Sequence, residues 1–224
     1  LPLVSRIVLK VGGAVADEAA TLVLGLAAAH DVCVVHGAGP QISAELARAG
    51  LEVRFVGGRR VTGAEALVVV RASLAAVNAS VCAAIGPRAL PLFGDEIGLR
   101  ATRVPELGHV GSARPSRPPA LEAALAEGLV PVVAPLGVGP LNVNADEAAA
   151  ALAIGLGADR LLFVTDVPGL LLGGAVASAI RVGEAEALLA GGQLGGGIVP
   201  KLEAAVRAAR GGVEATIGAT AVLA

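Results

Sequence analysis

The sequence predicts an α/β protein, a three-layer αβα sandwich around a mostly parallel central sheet. Two consecutive units near the N-terminus read as apolar strand, glycine turn and helix, a pattern that lays strands side by side in parallel with helices on their faces. The 224 residues are 55% hydrophobic, enough to bury a substantial core without disulfides or metals. Polar residues collect where the predicted strands end, the edge at which an open parallel sheet binds ligands.

Residues 6–11 form the first strand, Ile-Val-Leu-Lys-Val, which stops at Gly12-Gly13, and the Ala/Leu-rich residues 17–30 follow as a helix. Residues 32–35 are a second buried strand, closed by His36-Gly37-Ala38-Gly39-Pro40, after which 41–49 resume a helical pattern. A long helix spans 62–85, starting at Thr62 or Gly63 and ending at Gly86-Pro87. It is apolar around most of its circumference, so it lies in the core or at a subunit interface. The polar, Pro-rich residues 100–119 suit a hairpin or excursion, with a helix at 119–127 and a strand at 130–134. Asn142-Val143-Asn144-Ala145-Asp146 opens a helix over 147–156, and the strand 161–165 ends in the turn Asp166-Val167-Pro168-Gly169. Helices at 184–190 and 199–210 flank the glycine loop 195–197. One domain covers 1–224, with a division into lobes near Pro140.

A net charge of −2 and a pI near 5.9 give no electrostatic footprint for nucleic acid or an anionic membrane, leaving a small-molecule partner. Cys33 and Cys82 sit far apart in apolar runs, as free thiols do. The N-terminus lacks a basic region followed by an apolar one, and the longest uncharged stretch, 128–145, is broken by Pro131, Pro135 and Pro140. A soluble, cytoplasmic protein is expected. No Met occurs, not even an initiator, so a processed or incomplete chain is expected too.

Fifteen Arg stand against two Lys, so Arg is the default surface cation, and Lys10 and Lys201 are set apart beside Gly-rich stretches where a compact ammonium meets phosphate. Lys10, His36, Asn142, Asn144, Asp146 and Asp166 fall at strand ends. They make a poor acid–base set and a good site for phosphate and carboxylate. Neither lysine follows the Walker pattern, and Gly37-Ala38-Gly39-Pro40-Gln41-Ile42 has Ile where a dinucleotide fingerprint needs its third Gly. With no metal-like cluster around them, His36 and His109 are read as packing residues, and Asn144 as either structural or functional.

Seven segments in order are specific as a set. They are Lys10-Val11-Gly12-Gly13, His36 to Ile42, Arg60-Val61-Thr62, Glu106-Leu107-Gly108-His109-Val110-Gly111, Asn142 to Asp146, Thr165 to Gly169, and Gly196-Gly197-Ile198-Val199-Pro200-Lys201. On these segments the chain resembles the acetylglutamate kinases of the amino acid kinase superfamily over nearly its whole length. The resemblance implies the carbamate kinase-like fold and an N-lobe, about 1–140, for the acyl amino acid and dimerisation. It implies a C-lobe, about 141–224, for ATP. By the same resemblance Lys10 and Lys201 are transition-state lysines held by Asp146. Gly12, Gly13 and Gly39 offer N–H groups to phosphate, while Ala38, Gly39, Arg60 and Asn142 bind the amino acid. Asp166, Val167, Pro168, Gly169, Leu170 and Leu171, with Gln193, Leu194 and Gly195, enclose the nucleotide.

The implied reaction is ATP-dependent phosphorylation of the side-chain carboxylate of N-acetyl-L-glutamate, the second step of arginine biosynthesis, with Mg²⁺ carried by ATP and no direct metal ligand on the protein. A carboxylate nucleophile, with a free-chain pKa near ~4.3, needs no general base, so the work falls on cations and N–H groups around the phosphates. Two other readings stand beside it: a kinase for another blocked acidic amino acid, such as carrier-linked aminoadipate in lysine biosynthesis, and a catalytically silent nucleotide sensor. The missing third Gly disfavours a nicotinamide oxidoreductase.

Three departures from the family pattern stand out: Ala38 for a glycine, a short loop before Asn142, and a short end after Ile217 where the family adds a strand or two. Arginine-inhibited members carry an extra N-terminal helix, and nine residues precede Lys10, so the expectation is a homodimer insensitive to arginine.

Overall fold

The computed structural model describes residues 4–12, 16–165, 167–192 and 194–224, without the side chains of 16–18. The first half of the chain contains β1 (Arg6–Val11), α1 (Ala16–Ala27), β2 (Asp31–His36), α2 (Gly39–Arg48), β3 (Phe55–Val56), β4 (Arg59–Arg60) and α3 (Ala64–Ile85). It continues through β5 (Ala89–Phe93), α4 (Gly94–Ile97), β6 (Ala101–Arg103), a 3-10 turn (Pro105–Leu107), β7 (Val110–Ala113) and α5 (Pro119–Ala126). The remainder holds β8 (Val130–Ala134), β9 (Leu136–Gly137), β10 (Leu141–Val143), α6 (Ala145–Leu156), β11 (Arg160–Val164), β12 (Leu171–Leu172) and β13 (Ala175–Val176). Last come β14 (Ala179–Arg181), α7 (Val182–Ala190), α8 (Ile198–Arg210), β15 (Glu214–Ile217) and β16 (Thr220–Leu223).

Eight strands form the central sheet in the order β14-β16-β15-β11-β1-β2-β8-β5, every neighbouring pair parallel except β15 with β16. The alternation of strand side chains divides the core between the two faces. Ile7, Leu9, Val11, Val32 and Val34 pack under α1, α2 and α3, while Val8, Cys33, Val35, Val133 and Phe163 pack under α5, α6 and α8. Helix α6 is alanine-lined on all sides: Ala148 to Ala153 are fully buried, which lets it lie close against both β1 and α8. The three expected layers are therefore present.

Where the structure departs from the expected elements, local chemistry explains the difference. β5 contains Pro91, which argues against a strand in sequence, but β5 sits at the sheet edge beyond β8. The residues after Ile217 form β16, which turns back at Gly218 (φ +55°) and fits between β15 and β14. The 100–119 region does form a hairpin, β6 with β7, joined to β10 and β9 in a second, four-stranded sheet. Ala38 has φ −145°, so the alanine in the glycine turn carries no left-handed strain.

Candidate active site

Parallel strands deliver their C-terminal ends to one edge, and this is where the site forms. Lys10, one residue before the end of β1, shares its face with Val8 and so points toward the α6 side of the sheet. There it meets Asp146 in the first turn of α6, with Nζ 3.0 Å from Oδ1. Lys201, in the first turn of α8, approaches the other carboxylate oxygen of Asp146, 3.9 Å from Oδ2, and also donates to the Gly197 carbonyl at 3.3 Å. All three side chains are largely shielded from solvent. One carboxylate thus holds two ammonium groups that would otherwise repel.

Asp146 owes its position to Asn144. The Asn144 Oδ1 accepts from the backbone N–H of Asp146 (2.8 Å) and of Glu147 (3.3 Å), capping α6. Asn144 therefore has a structural role at the rim of the site. By contrast, α2 and α8 begin without a side-chain cap, which leaves first-turn N–H groups available to an anion at each helix start.

Arg60 lies across the cavity. It stacks on Phe55 at 4.6 Å and donates through Nη2 to the Gly39 carbonyl (3.0 Å) and Ser43 Oγ (2.9 Å). Those partners are neutral, and its Nη1 is buried with no hydrogen-bond partner among the described residues. Burial pushes its pKa below the ordinary guanidinium value. The Asn142 amide donates to Thr62 Oγ1 at 3.0 Å, and Thr62 Oγ1 in turn donates to the Arg60 carbonyl. Gly108 makes this packing feasible: its φ is +85°, and a Cβ there would lie 2.4 Å from the Thr62 carbonyl oxygen.

A cavity of about 180 Å³ is bounded by Lys10, Ala38, Gly39, Arg60, Asn142 and Asp146, among others. It is below the roughly 300–1,000 Å³ of drug-sized sites and suits a small polar molecule. The expected catalytic and amino-acid residues thus converge, with Lys201 joined through Asp146. Gly12 follows directly on β1. Of the expected nucleotide residues, Val167, Pro168 and Leu171 are exposed, Gly169 and Leu170 are buried, Leu194 is half-buried and Gly195 exposed. Leu170 packs into the core, and its N–H donates to Thr220 Oγ1 at 2.9 Å. Gly13, Asp166 and Gln193 lie outside the described residues.

His36 is a packing residue satisfied at one ring nitrogen only, its Nδ1 being buried with no hydrogen-bond partner among the described residues. His36 is fully buried with Nε2 3.1 Å from the Asn78 amide, and burial lowers its pKa to about 4. The backbone of His109 bridges the Thr62 carbonyl and the Asn142 N–H. Cys33 and Cys82 are free thiols, and burial pushes Cys33 up to about 12. Arg59 and Glu147 were not singled out by sequence. Arg59 Nε donates to Glu147 Oε1 at 2.7 Å, and the signal was their adjacency to Arg60 and Asp146.

The fold, with two lysines bracketing one aspartate at the sheet's carboxyl edge, defines a kinase of the amino acid kinase class. A profile of the amino acid kinase family matches residues 5–218. Acetylglutamate kinase from Rubrobacter xylanophilus is 42% identical over 94% of this chain and 87% of its own length. The enzyme of that name from Methanopyrus kandleri is also 42% identical, over 92% and 91%. A Streptococcus mutans UA159 protein of solved structure superposes with a TM-score of 0.88, at 27% identity, over 97% of this chain and 98% of that one. The chain belongs to the acetylglutamate kinases of the amino acid kinase family.

Proposed function

We propose that the protein transfers the γ-phosphoryl group of ATP to the side-chain carboxylate of N-acetyl-L-glutamate, giving N-acetyl-L-glutamyl 5-phosphate in arginine biosynthesis. The observation that carries this reading is Arg60, a buried guanidinium that among the described residues has an unmatched Nη1 and only neutral hydrogen-bond partners. It shares a cavity with Lys10 and Asp146. A buried cation lacking a counter-charge calls for an anionic ligand, and the α-carboxylate of an acidic amino acid supplies one while its side-chain carboxylate reaches toward Lys10. Asn142 completes the grip on the acyl amino acid, together with the N–H groups around Ala38 and Gly39.

The reaction joins a carboxylate oxygen to the γ-phosphorus as the bridging bond to the β-phosphate breaks and ADP leaves. Lys10 and Lys201 balance charge on the transferring group, and Asp146 positions both ammonium groups without touching substrate. Gly12, Gly13 and Gly39 add backbone N–H groups. Residues 166–171 and 193–195 enclose the nucleotide from the C-lobe, 141–224, and the acyl amino acid occupies the N-lobe, 1–140. Mg²⁺ carried on the nucleotide phosphates, with no ligand required of the protein, would withdraw charge from them. The two oxygens of Asp146, each facing a lysine, are committed to the ammonium groups. We further propose a cytoplasmic homodimer.

The test is coupled ADP release with N-acetyl-L-glutamate and MgATP. Turnover well above the acceptor-free blank is expected. Turnover only with a carrier-linked aminoadipate would transfer the reading to lysine biosynthesis, and nucleotide binding without turnover on any acceptor would leave a sensor.

A further inference from the structure

The pair β3 and β4 is a two-stranded ribbon outside both larger sheets. Its turn, Gly57-Gly58, has φ of +54° and +72°, the left-handed pair that a two-residue hairpin requires. A ribbon of this size is marginal in water, so side-chain contacts decide where it rests. Its base is fixed: the Val61 N–H donates to the Arg54 carbonyl and the Thr62 N–H to the Leu107 carbonyl, each at 2.9 Å. Neighbouring residues on a strand face opposite ways, and here Arg60 is bound to α2 while Arg59 is bound to α6. Arg59 Nε meets Glu147 Oε1 at 2.7 Å, and its Nη2 donates to Ser112 Oγ at 3.4 Å. Ser112 Oγ donates to Glu147 Oε2 at 3.2 Å, and the Asn144 amide reaches the Gly58 carbonyl at 3.4 Å.

We propose that Arg59 and Glu147 are positioning residues that latch the ribbon to α6, setting Arg60 over the acceptor cavity in register with Asp146. The linkage is direct in sequence: Arg59 precedes the substrate-gripping Arg60, and Glu147 follows the lysine-holding Asp146. The pairing also neutralises the second guanidinium at the cavity, so Arg60 alone selects the ligand's carboxylate. Glu147 holds Arg59 more firmly protonated than an ordinary guanidinium through their hydrogen bond. When the latch is broken the ribbon populates positions in which Arg60 is misplaced, and the apparent acceptor affinity falls by the fraction still in place.

The inference rests on the acceptor reading above for its kinetic arm only. Arg59→Ala, Glu147→Gln and the double variant are compared with wild type by hydrogen exchange in the absence of substrates and by steady-state kinetics. Exchange of residues 54–62 should accelerate about tenfold in each single variant, and no further in the double, since both remove one latch. KM for N-acetyl-L-glutamate should rise about 5–30-fold with kcat and the ATP KM within about twofold, again without addition in the double. Unchanged exchange in 54–62, or effects that add in the double variant, would overturn the latch. Accelerated exchange with an unchanged acceptor KM would overturn its role in positioning Arg60. Accelerated exchange in an enzyme inert toward N-acetyl-L-glutamate would retain the latch and remove the acceptor assignment.

Discussion

At the scale of single residues the proposed reaction separates groups that would act on the moving phosphoryl from one that would grip the acceptor. Lys10 and Lys201 share Asp146, so removing either ammonium withdraws a cation whose effect is greatest as charge redistributes. Lys10→Ala and Lys201→Ala should each lower kcat by about 10²–10³-fold, the scale of a lost preorganised donor, with circular dichroism unchanged. Arg60→Ala should raise the acceptor KM more than it lowers kcat, because a carboxylate grip serves ground and transition states alike. Wild-type kcat in either lysine variant would remove phosphoryl transfer from this site. His36 gives a separate reading through pH. Burial lowers its pKa from 6.5 to about 4, so between those values the unfolded chain binds the extra proton and stability falls as pH falls. The loss between pH 7 and pH 5 amounts to about 2 kcal/mol, and urea midpoints of wild type and His36→Gln should converge over that window. Parallel pH profiles would refute it.

At the scale of elements, the cap on α6 joins folding to the site. Asn144 satisfies two first-turn N–H groups, including that of Asp146. Asn144→Ala should cost about 1 kcal/mol, or about 2–4 °C in Tm for a chain of this length, and should lower kcat by loosening Asp146. Asn144→Ser should restore most of the Tm, because a hydroxyl also caps. The elements read most directly from sequence were those with one strong local pattern, such as β1, β2, β8 and α8. The two lysines that meet at Asp146 were legible too, because a chain with fifteen Arg makes each Lys conspicuous. What local pattern could not reveal depended on distant partners. β5 reads poorly because Pro91 argues against it until β8 is beside it, and β16 is a strand because β14 and β15 accept it. The Arg59–Glu147 contact joins residues 88 apart, with no spacing to betray it.

At the scale of the molecule, α3 leaves a surface to be accounted for. Its 22 residues are long and apolar enough to cross a bilayer by length and composition, but Val70, Leu74, Val77, Val81 and Ile85 are buried in the core on one side of the sheet. The opposite side exposes Val68, 70% accessible, with Ala72, Ala75, Ala76, Ala79 and Ala83. A stripe of small residues allows close approach of another surface, and an exposed apolar face of this kind favours a partner. Beside it β5 ends the central sheet, but Pro91 within it removes a backbone donor, which blunts edge-to-edge pairing. The proposed dimer would therefore use the helix face, and a two-fold axis there would set α3 against its own copy, burying the same patch twice. Val68→Glu places two like charges across that axis, close together in a desolvated contact. Light scattering at micromolar concentration should give a dimer for wild type and a monomer for Val68→Glu. Pro91→Ala should leave the dimer intact, since the helix face is untouched. A monomeric wild type would sink the assembly outright, and a Val68→Glu dimer would move the interface off α3.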